Sequence, residues 1–427
     1  MWLVNYSYGD KYYASFSFRR DGSSRLSPDT RWGNFWSLSA SWRLSQERFM
    51  QPLKSVLSDL KLRASYGVNG NLPSSYYGYQ STYTTGAFYN GKPSPWESTL
   101  GNEELTWEKN YALNLGLDIG LFSRVNVSLD WYTRTTKDLL MSKQLNSISG
   151  FSSLLTNVGQ MRNTGVELEV RSNNIKTKDF SWTTAFNLSH NKNKILKLAD
   201  LPWFVDGRYV RKEGYPFNTI YLREYAGVDP ETGSALYYDN QQDENGNYTK
   251  NKVTDPGQAS PIPLKDITPT ISGGFMNTFN YKFIDLSFNL SYSFGGYSYD
   301  NASYILQDDG YSVISNKSTE QRRRWQKPGD ITDVPRFVYG NKKGGNYNSS
   351  RAIHSTDHIR LKSLILGLNA PKAWLQKLGI GNARIYFSGT NLLTWAAYGQ
   401  YDPEMSGVVG FYTPPLKTYA FGLELKF

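Results

Sequence analysis

Apolar and polar side chains alternate with a period of two along many segments of this chain. The final segment shows the pattern without a break, and its two sets are Tyr419, Phe421, Leu423, Leu425, Phe427 and Ala420, Gly422, Glu424, Lys426. Successive side chains of a β-strand point to opposite faces, so the pattern predicts a strand with one apolar face and one small or charged face. Segments of about nine to eleven residues are long enough for a tilted strand to cross a bilayer.

The same test along the chain predicts about thirteen strands. The clear segments are 12–19, 36–44, 60–68, 111–119, 125–131, 284–294 and 419–427; weaker ones are 5–8, 166–170, 182–188, 271–283, 360–369 and 383–391. The alternation is interrupted in segment 360–369, because Leu361 and Leu364 are three positions apart and would point to opposite faces of a regular strand. This predicts a β-bulge. Bacterial single-chain membrane barrels have an even number of strands and must close, so an odd set is not expected to close alone.

The connections between these strands alternate between short and long. The short connections are 9–10, 120–124, 172–179 and 281–284, and the long ones are 69–106, 137–157, 191–270, 295–356 and 392–416. Two connections of intermediate length, 46–58 and 370–381, are predicted to hold short helices. Short turns on the periplasmic side and long loops outside are typical of outer-membrane β-barrels. The fold class predicted is therefore all-β, an antiparallel transmembrane β-barrel.

Composition agrees with a barrel that has an apolar outer face and a polar lumen. The chain has 32 Tyr, 12 Trp and 21 Phe, yet its mean hydropathy is −0.55. No apolar run of about 18 residues is present, so a helical membrane span is not predicted. A soluble β-sandwich protein stays open as the alternative, although it explains neither the alternating loop lengths nor the number of aromatic side chains.

Charge and cysteine content narrow the function classes. The net charge is +10. Lys and Arg are scattered through loops and strand ends, which favours contact with membrane lipid and lipopolysaccharide. No nucleic-acid reader motif is present, so a nucleic-acid partner is not predicted. Cysteine is absent, so thiol chemistry and thiolate metal sites are excluded. Asp243–Tyr248 has its Gly at the fourth position, not the sixth that an EF-hand needs, and predicts a turn. We assign no metal site and no cofactor.

Specific strings along the chain carry a family resemblance. They are SFRRDGSSR at 17–25, WRLS at 42–45, NEELTWE at 102–108, NVGQMRNTGVE at 157–167, GVDPETG at 227–233, RWQKPGD at 324–330, NLLTW at 391–395, YDPE at 401–404 and TYAFG at 418–422. In this order and spacing the strings resemble SusC/RagA-type TonB-dependent transporters of Bacteroidetes outer membranes.

The resemblance implies a barrel of about 22 strands, occluded by an N-terminal plug, energised by TonB and capped by a SusD-like lipoprotein. It implies import of a nutrient, an oligosaccharide (glycan) or an oligopeptide, across the outer membrane. Residues 1–427 correspond to the C-terminal part of the β-barrel, about 13 of those strands. Because the chain starts without a signal sequence, the signal peptide, the TonB box and the plug are expected to be absent from it. TonB is expected to act through that missing N-terminal part.

Aromatic side chains form two groups of candidates. Those at strand ends are predicted to form girdles at the membrane interfaces, and they are Trp36, Trp42, Trp107, Trp131 and Trp182. Those in the long loops are candidates for contact with substrate or a SusD-like partner, with packing among the loops as the alternative, and they are Tyr89, Trp96, Trp203, Phe204, Trp325 and Trp395.

Charged residues on the polar strand faces are predicted to line the lumen and contact the plug. They are Arg43, Arg63, Asp118, Asp130, Glu167 and Glu169. The alternative is that they only solvate a wide lumen. No nucleophile elbow, phosphate loop or pair of catalytic carboxylates is recognisable, so no enzymatic activity is predicted. An outer-membrane barrel enzyme and an adhesin or structural barrel without transport remain rival hypotheses.

Overall fold

The structure is a computed structural model that describes residues 1–86, 88–198, 201–341, 348–377 and 379–427. The chain divides into two compact units, which are described separately below. The first comprises Met1–Trp203 with Lys212–Pro216, and the second Phe204–Arg211 with Phe217–Phe427. Among the described residues, thirteen long strands (β1–β13) make up the main sheet structure, eight in the first unit and five in the second. The predicted number of strands is confirmed.

In the first unit each long strand pairs antiparallel with the next one along the chain. The strands are β1 (Trp2–Tyr8), β2 (Tyr12–Gly22), β3 (Trp32–Arg43), β4 (Leu57–Asn71), β5 (Glu108–Leu121), β6 (Val125–Lys137), β7 (Gln160–Lys176) and β8 (Phe180–Lys197). Sequence patterning underestimated β7 and β8, which extend over 17 and 18 residues.

The second unit repeats this arrangement with β9 (Ile271–Tyr281), β10 (Ile284–Phe294), β11 (His358–Asn369), β12 (Asn382–Ala396) and β13 (Thr418–Lys426). Neighbouring strands are again antiparallel. The pairing of β11 with β12 shifts register between Leu361 and Ser363. This is the predicted bulge, and it moves Leu361 and Leu364 into phase with their neighbours.

Short elements occupy the connections. The loop strands are Thr82–Thr84, Phe88–Tyr89, Lys92–Pro93, Trp96–Thr99, Leu140–Gln144, Ser153–Asn157, Trp203–Asp206, Tyr209–Lys212, Thr219–Leu222, Tyr225–Val228, Ala235–Tyr238, Lys252–Val253, Ile262–Asp266, Tyr297–Asp300, Ile353–Ser355 and Gly407–Val409. The α-helices are α1 (Asn301–Leu306) and α2 (Lys372–Lys377), and the 3₁₀ turns are Leu44–Gln46, Arg48–Leu53, Ser147–Ser149, Pro256–Gln258, Thr319–Arg323 and Ser350–Ala352. Helix α2 lies in connection 370–381 as predicted, and connection 46–58 holds the short 3₁₀ helix Arg48–Leu53.

Among the described residues no helix combines the length and the hydrophobicity that a membrane crossing requires.

The apolar strand faces are exposed in both units. In the first unit the exposed set includes Phe16, Leu38, Leu62, Tyr66, Leu115 and Leu129, and in the second Leu366, Leu368, Ile385, Phe421, Leu423 and Leu425. A soluble β-sandwich would bury one face of each sheet against the other, so this exposure argues against that alternative. The arrangement is the one expected of strands whose apolar face meets hydrocarbon.

Small apolar cores lie where loops cover the strand ends. In the first unit Leu26, Phe35, Leu105 and Trp107 pack together. Trp107 is only 6% exposed, its ring meets Phe35 edge-on, and its indole Nε1 donates to the Arg31 carbonyl. The predicted place of Trp107 in an interface girdle is therefore wrong, because loop 23–31 folds over this end of the sheet.

Candidate functional site

The polar face of the first unit carries the charged residues predicted to line the lumen. Strand alternation places them on the face opposite the exposed apolar side chains. Arg63 of β4, Asp118 of β5 and Asp130 of β6 come together although they are far apart in sequence, because the strands pair in chain order. The register puts Asp118 opposite Lys61 on one side and opposite Ser128 on the other.

Arg63 is the centre of this cluster. Its guanidinium donates to Asp118 through Nε and Nη2, at 2.9 and 3.0 Å, and to Asp130 through Nη1 and Nη2, at 2.9 Å each. Ser128 adds an acceptor to the same guanidinium at 3.1 Å and donates to Asp118 at 2.7 Å. The cluster has one cation and two carboxylates, and Lys61, directly opposite Asp118, supplies a second cation beside them.

A glycine allows the arginine to lie flat on the sheet. A Cβ atom at Gly116 would lie 2.5 Å from Cζ of Arg63. Gly116 pairs directly with Arg63 across β4 and β5, so the guanidinium passes over this residue to reach β6. The alternation pattern gave no role to Gly116, and only the strand register reveals it.

Arg43 belongs to a second ion-pair cluster near the short connections. It donates to Asp59 at 2.9 Å and to Asp10 at 3.0 Å, and Ser45 donates to Asp59 at 2.6 Å. Sequence reasoning found Arg43 but missed its two acidic partners, because Asp10 lies in a turn and Asp59 near the start of β4. The pairs tie turn 9–10 to the end of β3 and the start of β4.

Glu167 and Glu169 on β7 are exposed, unlike the Arg63 cluster. Glu169 pairs with Arg171 on its own strand, and Glu167 lies opposite Asp130 in the register. Asp59, Asp118, Ser128, Glu169 and Arg171 line a surface cavity of about 370 Å³ on this face. The described part of the first unit thus presents a wall of mixed charge that can receive ionic and hydrogen-bonding groups.

The connection between β4 and β5 projects an aromatic hairpin, which we call the aromatic arm (72–105). Its strands Thr82–Thr84 and Trp96–Thr99 pair antiparallel, and Phe88–Tyr89 pairs with Lys92–Pro93 at the tip. Tyr89 is 80% exposed and Trp96 is 57% exposed. The arm also exposes aromatic side chains that sequence reasoning missed, and these are Tyr76, Tyr77, Tyr83 and Phe88.

The composition of the aromatic arm is the sequence signal from which its exposed aromatic surface could have been predicted. It contains many Tyr, Ser, Thr, Gly and Asn residues and few aliphatic or charged ones. Tyr and Trp offer large rigid contact areas at low entropic cost, which is why binding loops are rich in them.

The other predicted loop aromatics have different environments. Trp203 is exposed in a loop strand, and Phe204 beside it is half-buried. Trp325 covers Gly233 and donates its Nε1 proton to the Pro230 carbonyl at 2.8 Å, so it packs two loop segments together.

Trp395 requires a correction. It was predicted in a long loop but lies in β12, opposite Ile359 of β11 on the face that exposes Leu393. This is the apolar strand face, so the predicted loop location of Trp395 is wrong. Aromatic side chains at such positions belong to interface girdles.

A buried ion-pair network in the second unit was not foreseen. The side chain of Arg360 on β11 is 3% exposed and contacts Asp402, 7% exposed, at 2.7 Å. It also contacts Glu404 at 3.0 Å and Thr394 at 3.1 Å. Lys362 adds a pair with Glu404. The network fixes the connection between β12 and β13 onto β11.

His354 lies in the loop layer of the same unit. Its ring stacks face to face on Tyr398, with centroids 3.7 Å apart and planes 3° from parallel. Tyr398 donates its hydroxyl proton to Asp300 at 3.0 Å. Within the part of the chain that the structure describes, Nε2 of His354 is buried and has no hydrogen-bond partner. Burial lowers the pKa of His354, while the charge of Asp300 acts in the opposite direction.

This environment predicts a pH-dependent loop. The unfolded histidine has its ordinary pKa of 6.5 and the folded one a lower pKa, so acid protonates the open loop preferentially. The loop therefore has its full stability at a pH above the ordinary pKa, where His354 is neutral in both states. At a lower pH its stability decreases, and one proton changes the ratio of closed to open loop by at most about tenfold per pH unit. Limited proteolysis of 397–417 over this range measures the effect.

A His354→Phe variant provides the control for that titration. It keeps the stacked ring but removes the titrating nitrogen, so we expect proteolysis to lose its acid dependence. If the variant keeps the wild-type pH profile, another group is responsible.

Comparisons with known proteins agree with this architecture. A family model described as "TonB dependent receptor-like, beta-barrel" matches residues 3–220. The chain is 33% identical to TonB-dependent receptor P3 of Formosa agariphila, over 99% of this chain and 45% of that protein. It is 30% identical to TonB-dependent receptor SusC of Bacteroides thetaiotaomicron, over 99% of this chain and 43% of that protein.

A solved structure gives the same result. The fold matches one chain of the RagAB peptide transporter with a TM-score of 0.89 and 31% identity, over 100% of this chain and 47% of that chain. The chain thus spans about half the length of the relatives it matches. It belongs to the TonB-dependent receptor β-barrel family, of the SusC/RagA type, and is an antiparallel transmembrane β-barrel protein of the outer membrane.

Proposed function

We propose that residues 1–427 supply the C-terminal barrel wall and the extracellular loops of a TonB-dependent importer of oligopeptides or oligosaccharides. The observation that carries the proposal is the match over the whole chain to the RagAB peptide transporter. This similarity favours a peptide substrate. The exposed rings of Tyr89 and Trp96 favour the second candidate, an oligosaccharide, because flat aromatic faces stack on sugar rings.

In this proposal the charged wall around Arg63 is the surface against which the plug packs. Two carboxylates share one guanidinium there, which leaves acceptor capacity for basic groups of a plug. Six residues form the plug-facing set, namely Arg43, Arg63, Asp118, Asp130, Glu167 and Glu169. TonB supplies the energy, acting through the N-terminal part of the receptor.

Import is tested in a strain that lacks the gene. We expect it to lose uptake of a labelled mixture of either oligopeptides or oligosaccharides, and complementation with the complete receptor to restore that uptake. The substrate class is the one whose uptake is lost. Unchanged uptake of both mixtures would contradict the proposal and favour an adhesin or a barrel enzyme, which surface-adhesion and hydrolase assays on the same strain would detect.

The aromatic arm is proposed as a docking surface for a SusD-like lipoprotein. Tyr89 and Trp96 are exposed aromatic side chains on one hairpin, and buried aromatic anchors dominate protein interfaces, at about 2 kcal/mol or more for each hot spot. We expect a Tyr89→Ser, Trp96→Ser double variant to lose most copurification with the lipoprotein.

Phe122→Ser is the matched control for this docking prediction. Phe122 is 59% exposed, nearly the same as Trp96, but lies in the short turn between β5 and β6, at the opposite end of the strands from the arm. This variant should copurify the lipoprotein like wild type. Equal recovery with both variants would refute docking on the arm.

A further inference from the structure

A row of alanines crosses the exposed apolar face of the first unit. Ala14 of β2 pairs with Ala40 of β3, and Ala40 pairs with Ala64 of β4. All three are exposed and lie on the same face as Leu38 and Leu62. The short alanine side chains leave a depression in this face, which we call the alanine furrow.

Large side chains border the alanine furrow on both sides. One flanking row is Tyr12, Trp42 and Leu62, and the other is Phe16, Leu38 and Tyr66. An open surface cavity of about 740 Å³ lies at Ala40 and Ala64, and its lining includes the row of Tyr12, Trp42 and Leu62 and, towards β5 and β6, Leu115 and Trp131. The flanking rows stand two residues from the alanines along each strand, or about 7 Å, so the floor is wide enough for a hydrocarbon chain.

The periplasmic side of the alanine furrow has a polar edge. Glu47, in the connection between β3 and β4, accepts hydrogen bonds from the Tyr12 hydroxyl at 2.7 Å and the Trp42 Nε1 at 3.2 Å. Lys11 in the turn between β1 and β2 pairs with Glu47 at 2.9 Å. Hydrogen bonds from Tyr12, Lys11 and Trp42 lower the pKa of Glu47 to about 2, so this edge carries one fixed negative and one positive charge.

We propose that the alanine furrow binds one acyl chain of a glycerophospholipid from the periplasmic leaflet, with a zwitterionic ethanolamine headgroup at Lys11 and Glu47. The phosphate lies at the ammonium of Lys11 and the lipid ammonium at the carboxylate of Glu47. This lipid site is independent of which nutrient is imported.

Two observations select a lipid as the occupant. The furrow is continuous with the apolar face that meets the membrane, so acyl chains are present there at the concentration of the bilayer itself. The charges at its edge complement a zwitterion, with Lys11 and Glu47 paired 2.9 Å apart. A second copy of the chain would have to bury about 800 Å² per partner in a stable interface, which a depression one side-chain row wide does not provide.

Photolabelling of the wild-type protein tests the site without any variant. The receptor is purified from its outer membrane and placed in phosphatidylethanolamine vesicles that contain a phosphatidylethanolamine with a diazirine on its acyl chain. After irradiation, mass spectrometry should find the label enriched on peptides that contain Ala40 and Ala64 relative to the other exposed strands. Even labelling of all exposed strands, or protection of these peptides with cross-links to a second copy, would overturn the proposal.

A filling variant adds a second measurement. Ala40→Leu with Ala64→Leu fills the furrow, so its enrichment should disappear. Ala383→Leu is the control, because Ala383 of β12 lies opposite Leu425 on the apolar face of the second unit and receives the same added side chain. It should leave the enrichment intact, and heat-dependent gel migration confirms folding of each variant. Persistent enrichment in the filled variant contradicts a site at the alanines.

Discussion

Replacing Arg360 with alanine is expected to release the loop between β12 and β13 and to lower the free energy of unfolding by about 3–5 kcal/mol. The reason is burial. Asp402 is 7% exposed and its carboxylate is bound by Arg360, so the substitution leaves a charge that water cannot reach. Urea denaturation measures the loss, and limited proteolysis within 397–417 detects the released loop.

Two further variants separate this effect from a general loss of packing. Lys362→Ala removes a cation that contacts the same Glu404 but is 37% exposed, so we expect at most about 1 kcal/mol. Arg360→Met combined with Asp402→Leu removes both buried charges and should recover most of the lost stability. If the double variant is as unstable as Arg360→Ala, the buried charge is not the cause.

Replacing Arg63 with alanine is the second large effect we expect, a loss of about 2–3 kcal/mol. It leaves Asp118 and Asp130 facing one another without their shared donor. The cost is smaller than at Arg360 because water reaches the pair: Asp118 is 34% exposed and Arg63 is 31% exposed. Urea denaturation of the folded protein measures it.

Arg171→Ala is the matched control, since Arg171 is on the same polar face but 71% exposed, and it pairs with Glu169 on its own strand. Its effect should stay within about 0.5 kcal/mol. Gly116→Ala should destabilise in the same direction as Arg63→Ala, because the new Cβ would displace the guanidinium. A stable Gly116→Ala protein with an intact Arg63 pair would show that the close approach is not required.

The strands, their number and the sidedness of their faces could be predicted because the period of two is a local property. The apolar set of a membrane strand needs only to meet lipid, so it does not depend on a partner from elsewhere in the chain. Leu423 and Phe421 show this directly, since both are apolar in sequence and exposed in the structure. The polar face on which the six candidate charged residues lie followed from the same alternation.

The predictions failed at the ends of strands. Trp107 was placed in a girdle, yet it is buried beneath loop 23–31. Trp395 was placed in a loop, yet β12 continues through it. The odd or even position of a residue within a strand determines which face its side chain occupies. It determines neither where the strand ends nor which loop folds over that end.

By itself the sequence determined the strand pattern, the alternating loop lengths, the polar and apolar faces and the family resemblance. Only the tertiary structure decided which charges meet: Arg63 with Asp118 and Asp130, Arg43 with Asp10 and Asp59, and Arg360 with Asp402. These pairs depend on strand register, and a shift of one residue would place every side chain on the opposite face. Register is set by the whole sheet together, which no single segment of the sequence specifies.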